Sequence, residues 1–219
     1  MKSLNYLLVL LMGVAFALIS CEQEPLITPQ PSSSDDPYGK SDQSVKENNG
    51  TEPFARVTTV SYLFKVGAPF FGPPFPEIVV ATASNGDIIE VAGQGTLSIH
   101  PKTATGNGTF THKDSDGTIV LGSGTWMATE LLSFQEYGPS TDPANFPPNL
   151  RAGYANIKVH LTGGGAEFPG ILRVYCVLPG AKVPASTPEG ILLNIPGVAN
   201  FNKVAGEGGF GGPTLFILQ

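Results

Sequence analysis

The sequence has few of the residue types that mark most chemical sites. Among 219 residues there are two cysteines, three histidines and one tryptophan. No pair of Cys or His stands at the short spacing of a zinc site, so no metal is expected. Basic charge is scarce as well: 12 Lys and Arg face 18 Asp and Glu, a formal net charge of −6. With no basic cluster, nucleic acid is not expected as a partner. Helical periodicity is missing, because 27 glycines and 20 prolines interrupt every long stretch. The Gly-x-Gly motifs at 93–95, 106–108 and 122–124 therefore open no helix. A phosphate cradle needs that helix N-terminus, so no nucleotide or other cofactor is expected.

One long apolar run exists. Lys2 precedes residues 6–19, which are uncharged and almost wholly apolar. That is shorter than the roughly 20 residues needed to cross about 30 Å of hydrocarbon. Leu18-Ile19-Ser20-Cys21 follows, and this tetrapeptide resembles the lipobox of bacterial lipoproteins. The resemblance implies a signal peptide over residues 1–20, diacylglycerol on the Cys21 sulfur, cleavage before Cys21 and acylation of the new amine. Each buried methylene contributes about 0.8 kcal/mol, so two or more chains hold a protein stably on a membrane. Glu22 and Glu24 resemble the export signal of surface lipoproteins in Bacteroidota-type bacteria. The expected location is the cell envelope, lipid-anchored to the outer membrane, periplasmic or surface-exposed.

Residues 21–53 hold the lipidated Cys21 and a linker rich in Pro, Ser, Asp and Asn, with Leu26, Ile27 and Val45 its only aliphatics. Such a segment cannot bury enough surface to offset its ordering entropy, so it reads as a disordered acidic stalk. Residues 54–219 form one domain of near-neutral charge, and their pattern is all-β. Strands are expected over 56–66, 77–83, 87–92, 95–100, 108–113, 118–121, 125–135, 155–162, 171–178, 190–195, 201–204 and 214–218. In 155–162 the odd positions Ala155, Ile157, Val159 and Leu161 alternate with polar residues, as in an antiparallel sheet with one wet face. Cys176 continues the apolar face of Leu172, Val174 and Leu178, so it reads as core.

The three Gly-x-Gly motifs continue as Gly-Thr-Leu, Gly-Thr-Phe and Gly-Thr-Trp. Glycine there is expected to supply turn and bulge geometry between consecutive strands of a meander. The pattern has a likeness to the Gly-Thr-Phe strands of barrels related to allene oxide cyclase and dirigent proteins. That likeness favours a β-barrel over a β-sandwich and carries over no catalytic residue.

Strand parity selects the candidate site. Trp126, Ala128, Glu130, Leu132 and Phe134 fall on one face, which Glu130 interrupts. A buried carboxylate is costly unless paired. His112 shares an inward face with Phe110, and a turn at 114–116 places the two opposite Ile119 and Leu121. His100 and His160 fall on solvent faces. His112 and Glu130 beside Trp126 would line a ligand cavity, form a satisfied core pair, or stand at a sheet end where Glu130 reaches water. Asp114 to Gly117 matches a fragment of a calcium loop but equally a hairpin turn. Two apolar loops are candidate contact surfaces, or their phenylalanines plug a barrel end: residues 69–76 with Phe70, Phe71 and Phe75, and 138–153 with Phe146 between prolines.

The expected role is non-enzymatic binding of a small molecule, glycan or protein. A barrel enzyme or carrier using His112 and Glu130, and a structural envelope protein, are the alternatives.

Overall fold

The computed structural model describes residues 59–67 and 76–219. Cys21, the signal peptide, the stalk and Phe70, Phe71 and Phe75 lie outside the described residues. The strands are β1 (Ser61–Val66), β2 (Val79–Thr82), β3 (Ile88–Ser98), β4 (Thr103–Lys113), β5 (Val120–Gly138), β6 (Leu150–Gly163), β7 (Ala166–Cys176), β8 (Gly190–Ile195), β9 (Ala199–Phe201), β10 (Lys203–Val204) and β11 (Thr214–Leu218). They belong to one sheet, and every pairing between them is antiparallel. The described domain is all-β, as its sequence pattern indicates.

Strands β3 to β6 form a wall of successive hairpins. At one end β11 and β1 close it into a hydrogen-bonded ring: β6 pairs with β11, β11 with β1, and β1 with β3. At the other end the wall extends as two arms, β7–β8–β9 from β6 and β2–β10 from β3. Asn202 alone separates β9 from β10, and β8 packs against β2 and β10. β3 serves both ends, pairing with β2 through Ile88 to Val91 and with β1 through Gly93 to Ser98.

Alternation fills the interior. Tyr62, Phe64 and Val66 of β1 are buried, as are Ala155, Ile157, Val159 and Leu161 of β6. Full burial of such a side chain contributes about 1.5–3 kcal/mol. Cys176 is completely buried beside Leu172 and Val174, and that burial pushes its thiol pKa well up.

The glycine motifs do not separate strands. The expected strands 87–92 and 95–100 merge into β3, and 118–121 and 125–135 merge into β5. The expected strand 201–204 divides instead into β9 and β10. Gly93 stands opposite Gly108 and Gly95 opposite Gly106 within the β3–β4 ladder. Rings from other strands take the space that side chains would fill. A Cβ on Gly108 would lie 2.6 Å from Trp126 Nε1, and one on Gly95 would lie 2.6 Å from Phe64 Cε1. The Trp126 indole donates to the Ala92 carbonyl at 3.2 Å. These glycines permit close approach within a strand rather than a turn.

Parity fails in β5, which shifts register between Ala128 and Glu130, again between Leu131 and Ser133, and again between Glu136 and Gly138. Each bulge adds a residue and reverses the alternation beyond it. Trp126 and Ala128 point inward as expected, but Leu131 is buried in place of Leu132. Glu130 is exposed and pairs with Lys158 at 3.6 Å. The expectation of an inward Glu130 is therefore corrected.

Candidate functional site

The ring is plugged at one end and open at the other. At the plugged end, Tyr62 donates its hydroxyl to Glu136 Oε2 at 2.5 Å, and Arg151 Nε donates to Glu136 Oε1 at 3.0 Å. Burial first, and then the Glu136 carboxylate, push the Tyr62 pKa far up. Phe134 lies between Tyr62 and Phe216, with ring centroids at 4.6 and 5.1 Å.

At the open end, the β4–β5, β6–β7 and β8–β9 turns surround a cavity of about 320 Å³. That is within the range of small-molecule sites. Ile89, Leu161 and Phe201 are its fully buried lining, and Phe110 and Phe168 are partly buried. Leu121 and Val198, 53% and 57% exposed, stand at the rim.

His112 lines this cavity. Its Nε2 lies 3.1 Å from Asp87 Oδ2, and its ring meets Phe201 edge-on at 5.1 Å. Asp87 follows the β2–β3 turn, where Asn85-Gly86 supplies the turn residues and Asn85 Oδ1 accepts from the Asp87 amide at 3.2 Å. A carboxylate only accepts, so Nε2 carries the proton. In the neutral form of the ring, Nδ1 is then the acceptor. Ser123 is among the lining residues, but it lies between Gly122 and Gly124, which stand opposite His112 and Phe110. Its hydroxyl therefore points to the other face of the sheet. His112 is thus the inward polar side chain of an otherwise apolar lining, with no nucleophile beside it among the described residues.

The sequence reading places His112 correctly and mistakes its neighbours. Phe110 and His112 stand opposite Gly124 and Gly122 rather than Leu121 and Ile119, because the turn runs from Asp114 to Ile119 and the ladder shifts register after His112. Trp126 is buried in mid-ring and is not among the cavity-lining residues. Glu130 is outside. Asp87, Phe168 and Phe201 were not singled out, although the Asn-Gly turn before Asp87 was legible. At the β4–β5 turn, Asp114 Oδ1 accepts from the Thr118 and Ile119 amides at 2.9 and 3.0 Å. Those bonds, the Ile119 amide foremost, lower its pKa, and the segment is the hairpin turn. His100 is exposed, and His160 pairs with Glu167 at 3.1 Å. Phe146 packs against the core rather than standing free.

A second polar centre escaped the sequence reading. Glu189 accepts from the Thr214 amide at 2.8 Å and, through its other oxygen, from the Val177 amide. Thr214 Oγ1 lies 2.9 Å from Glu189 Oε1 and also donates to the Tyr175 carbonyl. A hydroxyl has one proton, and the carbonyl can only accept it. The contact with Glu189 is then satisfied when Glu189 is protonated. Burial, opposed by the hydrogen bonds from the Val177 and Thr214 amides, pushes the Glu189 pKa up to about 7. Its oxygens are occupied by the backbone it joins, so it serves as a clasp between β7, β8 and β11.

Comparison with family models, curated proteins and solved structures finds no match to this chain.

Proposed function

We propose that this chain is a lipid-anchored cell-envelope protein whose β domain binds a small, largely apolar molecule in the cavity around His112, without catalysis. The cavity carries this reading: about 320 Å³ of space, lined mainly by aliphatic and aromatic side chains, with one oriented imidazole. Apolar lining supplies affinity, and one fixed polar group selects orientation. With the ring neutral and Nδ1 as acceptor, the favoured ligand carries a hydroxyl or amine donor on an apolar body. Among the described residues no hydroxyl or thiol points into the cavity beside the His112–Asp87 pair, which favours binding over catalysis. The membrane partner is the lipid on Cys21, and neither metal nor nucleic acid has a role.

The neutral apolar fluorophore phenylnaphthylamine tests the site. Its emission rises on mixing with the wild-type domain, and Ala166→Trp, which obstructs the mouth from an exposed position, abolishes the rise. Equal emission from both proteins, or none from wild type, overturns the proposal. Fatty-acid labelling in cells tests the anchor: Cys21→Ser loses the label, and retained label overturns it.

A further inference from the structure

The outer face of β5 to β9 holds features that the cavity does not use. Along the first cross-strand row, Tyr154 stands opposite Gln135 and Tyr175. The Tyr154 ring lies 6.2 Å from Tyr137 and 6.0 Å from Tyr175, centroid to centroid. The rings turn by 42° and 34° from one to the next. In the next row Asn156 Nδ2 donates to Ser133 Oγ at 2.7 Å, and Arg173 Nε donates to Asn156 Oδ1 at 2.6 Å. Arg173 also donates to the Tyr175 hydroxyl at 3.2 Å. Beside these rows runs a groove of about 250 Å³ lined by Ile171, Arg173, Leu192, Asn194, Asn200 and Asn202.

We propose that this face binds a neutral oligosaccharide, with the tyrosine row as stacking platform and the asparagine groove as hydrogen-bonding wall. A sugar ring offers apolar C–H faces and hydroxyls that both donate and accept. A tyrosine offers an apolar body with a polar tip and loses little entropy when fixed. An asparagine amide donates and accepts at once, which matches a hydroxyl pair. Arg173 spends two of its five donors on Asn156 and Tyr175, so its plane is already fixed and three donors remain.

Charge and polarity argue against other ligands. Arg173 is the groove's one charged lining residue, which is too little for a polyanion. The neighbouring Glu130–Lys158 pair is self-compensated. Three asparagines would be desolvated without partners under a lipid or an apolar protein surface, and that is costly. A hydroxyl-rich neutral chain leaves none of them unpaired.

The test uses the full chain on an array of neutral and anionic glycans, followed by calorimetry with the neutral glycan that binds most strongly. Tyr175→Ala weakens that binding about tenfold, the loss of one stacking contact. Arg173→Gln and Asn194→Ala, both at exposed positions, weaken it several-fold while thermal unfolding stays unchanged. Lys102→Ala, on the β3–β4 turn, binds as wild type. Three results overturn the proposal: no neutral glycan bound, preference for anionic glycans, or wild-type binding by both Tyr175→Ala and Arg173→Gln.

Discussion

Replacing Glu189 with Gln changes the slope of stability against pH. The native carboxyl titrates at about 7, against 4.5 for an ordinary glutamate. Below the unfolded value both states are protonated, and the clasp contributes fully. As pH rises toward 7 the unfolded chain releases its proton while the folded chain retains it, so stability falls. At about 1.4 kcal/mol per pH unit, the loss between the two values is about 3 kcal/mol. Glutamine cannot titrate, but it turns an –NH₂ toward either the Val177 or the Thr214 amide. That donor–donor contact costs about 1–3 kcal/mol. Wild type is therefore the more stable protein near pH 5, and the gap closes or reverses above pH 8. Urea unfolding of both proteins at intervals from pH 5 to 8.5 measures the difference directly, with other titrating groups common to the two. A difference that stays flat, or that grows with pH, refutes the reasoning.

Three further outcomes follow from packing. Gly108→Ala drives a methyl against the Trp126 indole and the Ala92 carbonyl, so it costs about 1–3 kcal/mol or more in urea unfolding and shifts Trp126 emission. Glu130→Gln, at an exposed 3.6 Å ion pair, changes stability by less than about 0.5 kcal/mol and leaves phenylnaphthylamine binding intact. Cys176 resists thiol reagents in the native domain and reacts after denaturation, and Cys176→Ala costs roughly 1 kcal/mol or more by unfolding.

The fold class was legible because several strands alternate without interruption. In 155–162 and 171–176, parity alone identifies the buried positions. β3 and β5 were read as broken strands because a glycine has no side chain to show its face. The groups that fill those spaces, Trp126 and Phe64, belong to other strands. The inward face of His112 was legible from local alternation. Its partner Asp87, 25 residues earlier, depends on ladder register, which alternation does not report. The misplacement of Glu130 came from bulges in β5, each a single extra residue with no signature in a hydrophobicity pattern. Glu189 sits between Pro188 and Gly190 and reads as a surface acid. Its burial comes from a bridge to Phe210 and from the amides of Val177 and Thr214.

The two ends of the wall are closed by different kinds of bond, and this gives the domain a gradient of stiffness. At the plugged end, ladders through β1 and β11 must rupture before the circumference can change. At the cavity end, the arms meet through the backbone at Asn202, through the close approach of β8 to β2 and β10, and through Gly211, which accepts from the Val80 amide and donates to the Glu189 carbonyl, rather than through a ladder. Packing yields to small displacements at lower cost than a ladder of hydrogen bonds. The mouth can therefore dilate while the far end keeps its girth, and ligands would be selected by how much compliance they demand. Amide exchange should register the same gradient, fast in β9 and β10 and slow in β1 and β11.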